Sequence, residues 1–265
     1  MTDTTNVLAG LEAEAAALDA LVAGLTEAEW DTPTPAPGWT VRHQIAHLAF
    51  IFRIAGLAAA QPDVFGALAK QTEAVGFDAA VNAALADYLG DPAEVLLTRW
   101  RAERDAGLKA LAAVPAGQLV PWLVNPLPPA VLACAGMMEV FAHGQDVHDA
   151  LGVRPVRTDR LGPLVGFAVR VRDFGYEARG LTPPGVEFRF EITAPSGAVW
   201  TFGPDDATER VTGSAEDFCL LVTRRRHRDD LDVRAAGELA GHWLDIAQAY
   251  RGPAGEGRRP GQFAD

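Results

Sequence analysis

The chain has 265 residues, and its 23 basic and 35 acidic side chains give a net charge of −12. With 49% hydrophobic and 22% charged residues it has enough apolar surface to offset the entropy of ordering, which excludes a disordered chain. A pI near 4.9 argues against nucleic-acid binding, which runs on clustered Lys and Arg.

From Asn6 to Leu25, apolar residues Val7, Leu8, Leu11, Leu18, Leu21, Val22 and Leu25 recur at helical steps. Thr26 and Glu29 have the spacing of a capping box around a short turn. The segment Thr32 to Gly38 then stops any helix, because its three prolines cannot continue one. A second long helix is expected from Thr40, as N-cap, to about Ala60, and a broken helix near 64–88. Asp91-Pro92 opens a third, carrying Leu96, Leu97, Trp100, Leu108 and Leu111. A Pro-rich stretch from Pro121 to Pro129 precedes a fourth, about Ala130 to Leu151. Four long helices with intervening loops suggest a bundle.

After Gly152 the pattern changes. A helix is expected at about 159–180, capped by Thr158 or Asp159. Val186 to Ile192 alternates apolar and charged residues, and Pro195-Ser196-Gly197 turns it into Val199-Trp200-Thr201-Phe202, the clearest hairpin. A short strand near Glu209–Thr212 and helices at about 214–223 and 237–250 follow. The tail, rich in Gly, Pro and Arg, is expected to be mobile. The expected domains are 1–152, a helical bundle; 153–252, a small α+β domain; and 253–265, a flexible tail.

The N-terminus lacks the basic n-region of a signal peptide, and no uninterrupted apolar run approaches about 18 residues. The expectation is a cytoplasmic protein with no membrane partner. Cys134 and Cys219 lie in apolar settings without metal or redox spacing, so buried thiols are expected rather than a disulfide. Phosphate-binding glycine motifs are missing, and Ser196 and Ser214, the only serines, lie in no nucleophile elbow.

Glu139 and His143 stand four apart on the fourth helix and project from one face. His43 and His47 form a similar pair on the second helix. If the two helices face each other, His47, Glu139 and His143 make a two-histidine, one-carboxylate site. With a fourth position open, that is the ligand set of a catalytic zinc, and iron(II) uses it as well. A surface ion pair is the plainer reading of Glu139 and His143. Asp146 is a candidate partner for an imidazole N–H. Trp39, Trp100, Trp122, Trp200 and Trp243 read as core or hinge residues, and Arg224 to Arg228 as a solvated loop or an anion-recognition cluster.

The run Pro35-Ala36-Pro37-Gly38-Trp39-Thr40-Val41-Arg42-His43-Gln44-Ile45-Ala46-His47-Leu48 resembles the second helix of the DinB-like superfamily. More closely, it is similar to the N-terminal domain of mycothiol-dependent maleylpyruvate isomerases. Glu139-Val140-Phe141-Ala142-His143-Gly144-Gln145-Asp146-Val147 matches that family's second metal motif, and later stretches resemble an actinobacterial metal-binding branch. The resemblance implies a DinB-like four-helix bundle followed by a small sterol-carrier-like α+β domain, with metal ligands at His47, Glu139 and His143. It further implies zinc, or alternatively iron or nickel, and a low-molecular-weight thiol such as mycothiol acting on a small-molecule substrate. A metal-dependent hydrolase or lyase, and a non-catalytic metal-binding bundle, are the alternatives. Monomer and homodimer both remain open. His43 departs from the family's usual Asp, as a spare ligand, a base near the metal or a surface change.

Overall fold

The computed structural model of the chain describes residues 4–75 and 77–263. Two compact units divide at Pro155 and Val156. The first holds helices α1 (Thr4–Val22), α2 (Glu27–Trp30), α3 (Val41–Ala60), α4 (Pro62–Val75), α5 (Phe77–Leu89), α6 (Ala93–Ala112) and α7 (Pro129–Leu151). The expected break near 64–88 is the junction of α4 and α5, and position 76 between them lies outside the described residues.

Helix α1 buries Val7, Leu8, Leu11, Ala15, Leu18 and Val22, one face at three- and four-residue steps. It packs on α6 and α7, while α3 packs on α6 and α7 from the other side. Helices α4 and α5 lean on α3 as well, so α3 is enclosed on several sides. That is why polar Arg42, Gln44 and His47 are buried on it beside Ile45 and Leu48. By length and composition α3 is apolar enough to cross a membrane, but 56% of that stretch is buried within its own unit, as in a core helix. Where α3 crosses α6, Gly56 and Gly107 let the backbones approach closely. A Cβ on Gly107 would come 2.7 Å from the carbonyl oxygen of Phe52.

The ends of these helices are fixed by polar contacts, of which the capping box was legible in the sequence. Thr26 accepts from the Glu29 N–H, and the Glu29 carboxylate accepts from the Thr26 N–H at 2.7 Å, completing the capping box. Arg42, 7% exposed, donates to Asp31 at 3.0 Å, to Glu27 at 2.5 Å and to the Asp91 carbonyl at 2.7 Å. Glu27 in turn accepts from the Ala93 N–H at 2.9 Å, tying the start of α6 to α2 and α3. The Pro-rich segment is a compact turn. Pro37 and Gly38 (φ 76°) occupy the middle of a β-turn closed by the Trp39 N–H on the Ala36 carbonyl, at 3.0 Å. Pro then Gly with positive φ is the type II arrangement.

The second unit holds α8 (Gly162–Arg170), α9 (Phe174–Glu177), β1 (Phe188–Thr193), β2 (Val199–Phe202), β3 (Glu209–Ser214), α10 (Ala215–Val222), β4 (Val233–Ala236) and α11 (Glu238–Ile246). The sheet order is β2-β1-β3-β4, with β1 antiparallel to β2 but parallel to β3, and β3 antiparallel to β4. Phe188, Phe190 and Ile192 alternate into the core, where Phe190 meets Phe218 and Trp243 edge-on.

Two expectations are corrected here, and one strand is added. The helix expected at 159–180 is a 3-10 turn over Asp159–Leu161, then α8, then α9. Pro163 has no N–H to continue a helix from 159, so α8 starts afresh with proline in its first turn. Further on, the Arg172 carbonyl accepts from Trp243 Nε1 at 3.1 Å and the chain turns. The helix expected to reach 250 ends at Ile246, because the Ala249 N–H bonds instead to the Val222 carbonyl at 2.8 Å. Strand β4 was not foreseen: of its four residues only Val233 is buried, so it carries no apolar alternation.

The tail has no regular structure, yet the Gly261 N–H donates to Asp230 at 2.8 Å and Arg226 stacks on Phe263 at 3.8 Å. Positions 264 and 265 lie outside the described residues.

Candidate metal centre

His47 lies in the second turn of α3, and Glu139 and His143 lie one turn apart on α7. The packing of α3 on α7 brings the three together. Glu139 Oε2 is 3.2 Å from His47 Nε2 and 3.2 Å from His143 Nε2, and one donor atom from each residue lies within 4.8 Å of the others. The side chains are mostly enclosed, with exposures of 11% for His47, 15% for His143 and 23% for Glu139. Burial alone would oppose ionisation of Glu139. The hydrogen bonds and positive charge of His143 and His47 outweigh it and hold the carboxyl well below the usual carboxylate range.

His143 Nδ1 faces Gln44 Oε1 at 2.5 Å. Asp146 is itself fully buried on α7. His47 Nδ1 is buried with no hydrogen-bond partner among the described residues. Trp39, expected as a core or hinge residue, instead stacks on the His143 ring at 5.7 Å and lies 5.5 Å from the His47 ring. It is half-buried, at the end of the Pro-rich turn, and forms one wall of the site. Gln44 stands three residues before His47, so helical spacing puts both on one face of α3; that was the available signal.

His43 belongs to the helix cap. Its Nδ1 lies 3.3 Å from the Thr40 N–H and 2.9 Å from Thr40 Oγ1, the position a Glu or Gln takes in a capping box. Burial, with the charge of Arg42, lowers its pKa. The Arg224 to Arg228 cluster lies in the second unit. There Arg228 binds Asp245 at 2.5 Å, and Arg225 donates to the Thr223 carbonyl at 2.7 Å. Both cysteines are free and buried, and burial pushes the Cys134 thiol up to about 11.

Two imidazole nitrogens and one carboxylate oxygen facing a common point suit zinc and other borderline divalent ions. Three protein donors leave coordination positions for a reactant. A model of the family described as the mycothiol maleylpyruvate isomerase N-terminal domain matches residues 11–148, which include α3, most of α7 and all three donors. The chain belongs to that family. This chain is similar to two uncharacterized proteins of Mycobacterium tuberculosis, from strains CDC 1551 and H37Rv. Each is 47% identical over 262 residues, covering 97% of this chain and 100% of the relative. Crystal structures of the mycothiol-dependent maleylpyruvate isomerase and of a histidine-to-alanine mutant share the fold, with TM-scores of 0.54 and 0.56 at 14% identity. They cover 88% and 87% of this chain and 92% of their own. A second model, described as wyosine base formation, matches residues 184–236, the span of the sheet.

Proposed function

We propose that the chain is a metal-dependent enzyme acting through a low-molecular-weight thiol, an isomerase or S-transferase, with His47, Glu139 and His143 as the metal ligands. The observation that carries it is the convergence of these three donors from two helices in a chain of this family. Zinc is the first choice of metal, with iron(II) and nickel(II) as alternatives. The bound metal would supply positive charge that keeps a thiol in its reactive thiolate form at neutral pH, ready to add to an activated double bond or displace a leaving group.

The protein's own groups fit that assignment. Glu139 is held ionised, which neutralises part of the ion's charge. Trp39 covers both imidazoles and shields that side from water. Neither buried cysteine is available as the nucleophile, so the thiol comes from outside, and mycothiol is the candidate that the family description names. The metal-binding domain is proposed as 1–152, followed by the α+β domain 153–252. A reduced, cytoplasmic setting suits both the free cysteines and such a thiol.

The test is metal content by mass spectrometry of untagged protein purified without added metal, beside His143→Ala. About one metal per chain, lost in the variant, supports the site. Turnover of maleylpyruvate, or of another activated alkene, that requires added mycothiol supports the chemistry. A wild-type protein that neither contains nor takes up zinc, iron or nickel overturns the proposal.

A further inference from the structure

We propose that Gln44 is a positioning residue for the metal centre: it fixes the tautomer of His143 through a hydrogen-bond chain anchored on the backbone of the Pro-rich turn. The inference rests on reading His47, Glu139 and His143 as a metal site. The chain starts at the carbonyl of Trp39, which can only accept. It takes the Thr34 N–H at 2.8 Å and the Thr34 hydroxyl at 2.9 Å. A hydroxyl has one proton, so Thr34 Oγ1 meets Gln44 at 2.9 Å as an acceptor, and the atom facing it is the amide nitrogen.

That settles which way the amide points. Gln44 Oε1 is left facing His143 Nδ1 at 2.5 Å, and an amide oxygen cannot donate, so Nδ1 carries the proton. In the metal-free protein His143 Nε2 shares a proton with Glu139 at 3.2 Å. A metal ion would take the place of that proton, and because Gln44 holds the other proton on Nδ1, it is the Nε2 lone pair that is offered to the ion. Gln44 is fully buried, so water does not compete for its amide. His47 has no such partner at Nδ1 among the described residues, which makes the two histidines unequal: His143 is held at both ring nitrogens and His47 at Nε2 alone.

Three variants test this: Gln44→Leu, which keeps the bulk but removes the acceptor; Gln44→Glu, which keeps an acceptor for Nδ1–H; and Thr34→Val, which removes the anchor. Zinc dissociation constants by chelator competition, with circular dichroism on the metal-free proteins as a folding control, give the readout. Gln44→Leu is expected to weaken zinc binding by about 10- to 100-fold. Gln44→Glu should stay close to wild type, and Thr34→Val should shift in the direction of Leu by less. A residue that merely fills space gives the opposite order, with Leu tolerated and a buried Glu harmful; that order overturns the inference. If Gln44→Leu does not fold, the weaker zinc binding of Thr34→Val decides it, and an unchanged constant there overturns it. Nitrogen-15 spectra of the metal-free protein separate the two readings. A slowly exchanging Nδ1–H on His143, lost in Gln44→Leu or freed in Thr34→Val, supports the relay even where wild type binds no zinc. Its absence from wild type overturns the relay even where zinc binds.

Discussion

Glu139 accepts from two imidazoles at once, and its carboxyl stays ionised because of them. Replacing it with Gln keeps its size and removes its charge. Glu139→Gln is expected to weaken metal binding by at least about tenfold with the helix content unchanged, measured by chelator competition and circular dichroism. At the same scale, Cys134 is a buried thiol whose pKa lies near 11, so its thiolate is scarce at neutral pH. Native protein at pH about 8 should resist a thiol reagent at both cysteines and react fully once urea exposes them. Fast labelling of the native protein would return Cys134 to the list of candidate nucleophiles. The candidate ligands Glu139 and His143 were legible as spacing, because residues four apart on a helix share a face; the same rule paired His47 with His43, which caps α3 instead. Trp39 was not, since a tryptophan after prolines reads equally as core or hinge; Gln44 shares a helix face with His47, but no local spacing points it at His143.

Helix ends and crossings make predictions of their own. Gly107 has no room for a Cβ against the Phe52 backbone, whereas Gly66 in α4 has open space around it. Gly107→Ala should therefore destabilise by about 1–3 kcal/mol. Gly66→Ala should stabilise by about 0.5–1 kcal/mol through helix propensity. Urea unfolding of the two variants checks both signs. The Arg42 hub adds a pH dependence. The hydrogen bond from the Ala93 N–H, with the Arg42 ion pair, draws the Glu27 pKa below its ordinary 4.5. The unfolded chain thus takes up the proton first. The stability Glu27 contributes is present above 4.5 and lost as the pH falls through its lowered value. In urea midpoints between neutral pH and about pH 3.5, Glu27→Gln should lie below wild type at neutrality and converge with it in acid. Capping boxes and proline stops were readable because they are local. The break in the helix expected at 159–180 was only half readable: Pro163 marked it, but Trp243 taking the Arg172 carbonyl did not.

At the scale of the molecule, the chain divides beside an exposed stretch. Val153 is 44% and Val156 is 85% exposed, and Arg157 follows them. The Arg157 side chain is itself only 9% exposed, beside Glu216, so a protease of broad specificity rather than trypsin is the probe; brief treatment is expected to nick within 152–156 and leave two protease-resistant fragments. Early cuts scattered through α1 or the sheet would contradict independent domains. Sequence by itself determined the helical first half, the hairpin, the cap residues and three metal-ligand candidates, because each depends on residues within a turn or two of one another. Tertiary structure alone decided that α3 and α7 meet, that β1 pairs in parallel with β3, and that Gln44 and Trp39 belong to the centre. Those contacts join residues far apart along the chain, and a periodic apolar face says that a helix is buried without saying against what.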